Sequence, residues 1–500
     1  MELIDNMVLG FTTAFSPINL VYCFAGVFLG TFIGVLPGIG SLAAVAMLLP
    51  ISFHLEPLSA LVMLAGVYYG AEYGGSTASI LLNLPGTPSS AVTCLDGYPM
   101  AKQGRAGVAL FTTTVASFYG AVVGIVLLSA FAGVLAKVAM AFGAAEYFAV
   151  MLLGLVAAAA IGRSSPIKGI AMVFIGILLG TVGTDLNTGA ERFTFGLFEL
   201  FDGISIIALA MGLFGFSEII ASVRSPQHAV DGRVTLRSML PTGADMKASF
   251  MPMTRGSIIG SILGAMPGTG QTIASFMSYA LEKRVSRHPA RFGTGAIEGV
   301  ASPEAANNAA AQTAFVPTLT MGIPGSATMA LMLGALMMHG IAPGPRLLGD
   351  HPEVFWGLIA SFWIGNVMLV ILNIPLIGLW VRLLKIPYHY LYPGIIVLIC
   401  IGVYSVNNSV FDVLMAVMFG VVGYAMRLMD FEPAPLLIGF VLGPMVEENF
   451  RRAMILGRGE LTSLFHSPIA ASLLAVTFFL VAWAILISLR PRRESAPEPG

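Results

Sequence analysis

Four of the chain's proline–glycine steps fall in two matching pairs within apolar stretches. Two of them, in GVLPGIGSLAAV (34–45) and GAMPGTGQTIAS (264–275), lie 230 positions apart. The other two, in LNLPGTPSSA (82–91) and MGIPGSATMA (321–330), are offset by 239. Proline removes a backbone donor and clashes with the preceding turn, and glycine takes conformations that other residues avoid. Each step is therefore expected to end one helix and start another. The restarted helix presents free N–H groups and a positive dipole end, which attract anions. The helix that stops presents carbonyls, which suit a cation. The anion candidates are Gly38, Gly40 and Ser41, then Gly268, Gly270, Gln271, Ser326 and Thr328, with Thr87 and Ser89 at the matching step. Asn83 and Thr320 precede two of the steps and are candidate cation contacts.

Glu72 is the third cation candidate. It lies in LVMLAGVYYGAEYGGSTASILLNL, and no basic residue occurs before Lys102. An acid inside a membrane segment is costly and by default functional. The alternative is a place at a membrane boundary, which Tyr68, Tyr69 and Tyr73 could mark. Glu298 and Glu304, in AIEGVASPEAANNAA, carry the same ambiguity, and His339 reads as a loop or interface residue. Around the steps lie further hydroxyls and amides, among them Ser76, Thr77, Asn307, Asn308, Gln312 and Thr313. They can serve a carboxylate or simply allow close helix packing. HExxH, GxSxG and Walker sequences do not occur. Cys23, Cys94 and Cys400 form no CxxC pair, so neither a metal site nor a disulfide framework is expected.

The elements that must position these residues are apolar helices. The 500 residues are 57% hydrophobic and 10% charged, with net charge −1 and mean hydropathy +0.87. Ordinary soluble domains are about 25% charged. Apolar runs at 107–135, 144–161, 166–183, 203–222, 354–381, 411–426 and 468–489 predict an all-α polytopic membrane protein with roughly ten to twelve segments. A β-barrel would show short alternating strands instead. MELIDNMVLG carries Glu2 and Asp5 and no base, unlike a signal peptide. The balanced charge gives no nucleic-acid signature.

The paired steps divide the chain into two homologous halves. The expected organisation is a first transmembrane repeat at 1–222, a cytoplasmic linker at 223–254, a second repeat at 255–450, a transmembrane segment at 451–490 and a disordered tail at 491–500. The linker region holds Arg224, Arg233, Arg237, Lys247 and Arg255 against two acids, which places it in the cytoplasm. Residues 185–202 then lie outside. Arg163 and Lys168 sit before one segment, while only Asp412 sits before its counterpart, which favours inverted repeats. Arg451, Arg452 and the RPRR tail conflict with one another if 468–489 spans fully. Irregular backbone at membrane depth must be buried in protein or line a water-filled cavity, so the steps are read as re-entrant hairpins or broken helices. A channel is the competing reading, because the steps could line a pore; an ion-coupled organic-acid exchanger that needs no binding protein is another.

The strings GVLPGIG, YGGSTASILLNLPGTP, AMPGTGQ, EGVASPEAANNAAAQTAFVPTLTMGIPGSATMALMLGAL and GIAPGP closely resemble the large membrane subunit of the tripartite tricarboxylate transporters of bacteria. The resemblance runs from about residue 10 to 490 and is most specific over 298–345. It implies a multi-pass protein of the inner membrane, not an enzyme, with an elevator-type architecture. It implies a secondary transporter that takes up citrate or a related carboxylate with Na⁺ or H⁺, and no cofactor beyond that ion. It also implies two partners: a small membrane subunit with about four helices and a periplasmic solute-binding protein.

Overall fold

The computed structural model describes residues 2–36, 38–160, 165–185, 188–222, 235–266, 270–384 and 388–489. Pro37, Pro267, Gly268 and Thr269, most of the basic linker (223–234) and the tail lie outside the described residues.

The earlier part of the chain forms α1 (Glu2–Ala14), α2 (Pro17–Val35), α3 (Gly40–Ser52), α4 (Pro57–Leu82), α5 (Cys94–Met100), α6 (Ala106–Met140), α7 (Ala144–Ala160) and α8 (Pro166–Gly180). It ends in α9 (Ile206–Ala210) and α10 (Ser217–Ser222), joined by the π-helical turn Met211–Phe216. The later part forms α11 (Gly243–Gly264), α12 (Gly270–Val285), α13 (Glu298–Thr313), α14 (Phe315–Met321), α15 (Ala327–Met338), α16 (Arg346–Asp350) and α17 (Pro352–Asn373). It continues through α18 (Ile377–Leu383), α19 (Tyr388–Asn407), α20 (Val410–Leu428), α21 (Pro433–Leu456) and α22 (Pro468–Leu489). One antiparallel pair, Gly183–Thr184 with Glu191–Arg192, is the sheet found among the described residues. The protein is thus an all-α, multi-pass membrane protein. The stretch read as linker is helical from Gly243, where Thr242 caps α11.

Four helical stretches are long and apolar enough to cross a membrane: Pro17–Val35, Cys94–Leu135, Pro352–Asn373 and Val410–Leu428. Others, such as Gly40–Ser52 and Ala327–Met338, are apolar but shorter. Both of these begin just after a proline–glycine step, so they are parts of interrupted segments rather than whole spans.

Glycine decides how these helices meet. Gly26, Gly30 and Gly34 of α2 sit against the main chain of Met63, Val67 and Ala71 of α4, where a Cβ would strike backbone carbonyls. Gly256, Gly260 and Gly264 of α11 sit in the same way on Ser302, Ala306 and Ala310 of α13. Small residues at four-residue spacing let helix backbones approach closely, which drives association where lipid removes the hydrophobic difference. Further contacts of this kind join α6 to α13 through Gly120, α8 to α21 through Gly176 and Gly439, and Met211–Phe216 to α20 through Gly212 and Gly420.

Polar staples mark the ends of the helices. Arg105 pairs with Asp245 at 2.6 Å. Arg451 meets Asp185 at 2.8 Å, and Arg192 meets Glu447 at 2.8 Å, so residues 185–192 and 447–451 share one end of the molecule. His339 Nε2 lies 3.1 Å from the Ser52 carbonyl. Asp96 is fully buried and accepts N–H bonds from Gly293, Gly295 and Ala296 and the Tyr279 hydroxyl. Its charge is thereby spread over four donors and ties α5 to the loop before α13.

Candidate functional site

Described residues in or just after each of the four steps line one cavity of about 1410 Å³. At the first step α2 stops at Val35, Leu36 is extended, and the chain turns through Gly38 (φ 90°) and Gly40 (φ 72°) into α3. At its counterpart α11 stops at Gly264, and Gly270 (φ 60°) opens α12. At the other two steps the preceding helices end in left-handed residues, Asn83 (φ 56°) and Gly322 (φ 72°). Left-handed backbone at such a helix end suits glycine and asparagine. Gly86 then lies on the Gly34 carbonyl, and Gly325 lies near the Gly264 carbonyl, so each later step folds onto the end of the helix before the earlier one.

Nine of the anion candidates lie on the cavity wall: Gly38, Gly40, Ser41, Thr87, Ser89, Gly270, Gln271, Ser326 and Thr328. Gly268, the tenth, lies outside the described residues. Of the cation candidates, Glu72 lines the cavity. Asn83 is an exposed cap of α4 and is not on the wall. Thr320 is buried, and its hydroxyl donates to the Val316 carbonyl in its own helix at 2.7 Å.

The hydroxyls have definite tasks. Ser89 Oγ donates to Glu72 Oε2 at 2.5 Å, and Thr87 Oγ1 donates to the same oxygen at 3.3 Å. Ser326 Oγ accepts from the Met329 N–H and caps α15. Gln271 Nε2 is buried and has no hydrogen-bond partner among the described residues. An amide N–H there, the free N–H groups of α12 and the capped start of α15 can meet an anion without a full positive charge.

The far wall of the cavity was not anticipated from the sequence. It is built by the start of α8, by α10 and by the α20–α21 turn, and it carries Lys168, Glu218, Arg427, Asp430 and Glu432. Arg427 pairs with Glu218. Lys168 Nζ donates to the Met429 carbonyl at 2.6 Å and sits 4.6 Å over the Phe431 ring. In the sequence Lys168 read only as a loop charge. The wall residues meet because α8 and α20–α21, about 260 positions apart, pack through Gly176 and Gly439.

A second buried carboxylate lies deeper. Glu304 accepts from Thr93 Oγ1 at 2.6 Å and from Ser117 Oγ at 3.4 Å. Around it α13 carries unpartnered amides: both polar atoms of Asn307 and Gln312, and the Asn308 oxygen. Tyr68 and Tyr69 of α4 likewise have unpartnered hydroxyls. Asn307 and Asn308 stand 239 positions after Tyr68 and Tyr69, the same offset as the later steps.

The chain is similar to two proteins of Agrobacterium vitis. An uncharacterized 52.8 kDa protein in the TAR-I ttuC' 3' region is 52% identical over 494 residues, 99% of this chain and 98% of that protein. An uncharacterized protein in the TAR-II ttuC' 3' region is 55% identical over 235 residues, 47% of this chain and 97% of that protein. No solved structure matches. Residues 20–438 match the family described as tripartite tricarboxylate transporter TctA. With one relative that aligns over nearly its whole length and a family match over most of it, the chain belongs to the tripartite tricarboxylate transporter TctA family.

Proposed function

We propose that the chain is the translocating subunit of a bacterial inner-membrane importer that takes up citrate or a related organic carboxylate with Na⁺ or H⁺. Its partners are a small membrane subunit with about four helices and a periplasmic binding protein that delivers the substrate. The observation that carries this reading is the cavity: four helix breaks meet there around one buried carboxylate, with N–H groups for an anion and oxygens for a cation. A pore would need no such pairing of breaks around one carboxylate.

Two related, inverted halves are part of the proposal. In their favour, α2 packs on α4 as α11 packs on α13, through glycine triplets 230 positions apart. The α2–α3 hairpin opens at Ser52, beside His339 at the end of α15. The α11–α12 hairpin opens where Arg255 binds Glu282, at the end that also holds the Arg105–Asp245 pair. The two hairpins thus read as entering from opposite faces, as inverted repeats require. An elevator motion would carry the hairpin tips, with their contents, across the membrane.

The test is uptake into vesicles. The subunit, reconstituted with both partners and radiolabelled citrate, should accumulate substrate saturably only when the binding protein and a Na⁺ or proton gradient are both present. Conductance by this chain alone, or accumulation without the binding protein, would replace the proposal with a channel or an independent exchanger.

A further inference from the structure

Lys283, Arg284, Arg287 and Arg291 crowd the end of α12 and the turn after it, with no acid between them. Lys102 is brought to the same turn, because Gln103 Nε2 donates to the Thr294 carbonyl at 2.8 Å. All five bases are exposed. Among the described residues none of them has an ion-pair partner, and Lys102 lies 4.6 Å over the Tyr98 ring. Asp96, Asp245 and Glu282 stand at this end but are engaged. Asp245 is held by Arg105, Glu282 by Arg255, and Asp96 by the N–H groups of Gly293, Gly295 and Ala296. A strongly positive patch therefore stands on a chain whose net charge is −1. The turn is also held in shape: Phe292, just after it, packs edge-on to Tyr279 with ring centroids 5.4 Å apart. Orientation in a membrane needs bases on one side, not bases fixed in one place.

We propose that this patch binds the phosphate of an anionic membrane phospholipid whose acyl chains lie along α12. The flank of α12 favours a lipid over a soluble anion. Met277, Leu281 and Val285 are exposed and follow one another at four-residue spacing, so they form one apolar stripe. Arg284, seven residues after Met277, continues that stripe about two turns on. A lipid laid along it has its chains against Met277 and Leu281 and its headgroup at Arg284 and Arg287. Guanidinium groups suit phosphate oxygens, which they meet with two parallel N–H bonds. Basic clusters at the ends of membrane helices recognise anionic headgroups in this way. A soluble acidic protein would answer the charge and leave the stripe uncovered. Because α12 starts at Gly270 and Gln271 on the cavity wall, a lipid at its other end steadies the hairpin that presents them.

Thermal unfolding of the purified full-length chain in detergent tests this with no substrate or partner present. Cardiolipin or phosphatidylglycerol added to the micelles should raise the melting temperature saturably, and phosphatidylcholine should not. The double variant Arg284→Gln/Arg287→Gln should melt like the wild type without lipid. It should need at least about tenfold more cardiolipin for half the effect. Arg346→Gln/Arg458→Gln removes the same charge from exposed positions elsewhere and should titrate like the wild type. Native mass spectrometry should find cardiolipin retained by the wild type and the control and lost from the patch variant. Equal stabilisation by phosphatidylcholine, or a patch variant that titrates like the wild type, would overturn the proposal. So would an equal loss in the control, which would make the effect one of overall charge, or a shift reproduced by sn-glycerol 3-phosphate, which would make the site one for a soluble phosphate. Should the patch variant melt lower without lipid, the mass spectrum decides, and retained cardiolipin overturns the proposal. Uptake is not measured here, so this result and the transport reading stand or fall separately.

Discussion

Gly270 and Gly86 do different jobs with the same side chain. Gly270 has φ 60° and open space where a Cβ would stand, so its demand is conformational. Left-handed backbone costs an L-residue roughly 1–2 kcal/mol, more for a β-branched one, while asparagine tolerates it. Gly270→Val should therefore abolish uptake with membrane insertion retained, and Gly270→Asn should keep a measurable fraction of it. Equal loss in both would mean that bulk rather than conformation matters. Gly86 is limited by space, because a Cβ would strike the Gly34 carbonyl and crowd Gly75. Gly86→Ala should displace the step from α2, unseat Ser89 from Glu72, and lower vesicle uptake at least about tenfold, as expected for a loss near 1.4 kcal/mol. At this scale the breaks were legible, because Pro and Gly act on the backbone locally. The tasks of Thr87 and Ser89 were not: both were read as anion ligands, and which way a hydroxyl donates depends on Glu72, 15 and 17 residues away.

Helices in this protein are joined by small residues, and this was open to view as GVFLGTFIG and GSIIGSILG, two glycine triplets at four-residue spacing. The proline–glycine steps drew attention away from the stripes that run into them. Gly260→Leu would push α11 off the Ala306 backbone of α13 and tilt the hairpin that carries Gly270. Overpacking of this kind costs about 1–3 kcal/mol, more where backbone meets backbone. The variant should lose melting temperature in detergent, and Ile262→Leu, on the exposed side of the same helix, should not. Asp96 is the second fastening between elements. In CLDGYPM a single acid gives no hint of its partners, which lie about 200 positions later in Gly293, Gly295 and Ala296. Asp96→Ala would leave the buried Ala296 N–H and the partly exposed N–H groups of Gly293 and Gly295 without their acceptor, at about 1–3 kcal/mol for the buried one. A sharp fall in melting temperature is expected, larger than for Asp96→Asn, which keeps one acceptor oxygen. Equal melting temperatures for the wild type and Asp96→Ala would show that water replaces the carboxylate.

Orientation belongs to the whole molecule, and here the contacts remove a conflict between charge clusters. Arg451 and Arg452 sat awkwardly with the RPRR tail, since both could not be cytoplasmic across a full span at 468–489. Arg451 binds Asp185 and Glu447, and Arg452 pairs with Glu448, so these bases belong to an ion-pair cluster at the end that holds residues 185–192. With that end outside, α22 would end on the cytoplasmic side, which the positive-inside rule favours for a helix followed in the sequence by RPRR. The far wall of the cavity follows the same assignment. Lys168 lies in the first turn of α8, which leads to the strand at Gly183, and Glu218 lies in the first turn of α10, which leads to the linker, so with a cytoplasmic linker the charged wall would lie toward the cytoplasm. On that expected orientation the cavity would face inward. Single cysteines in a background lacking Cys23, Cys94 and Cys400 test this in intact cells. An impermeant maleimide should label Arg458→Cys and His54→Cys from outside and should spare Arg233→Cys and Ser286→Cys until the membrane is opened. Labelling of the second pair with protection of the first would invert the whole molecule, and the cavity would then be the outward-facing mouth at which a binding protein docks.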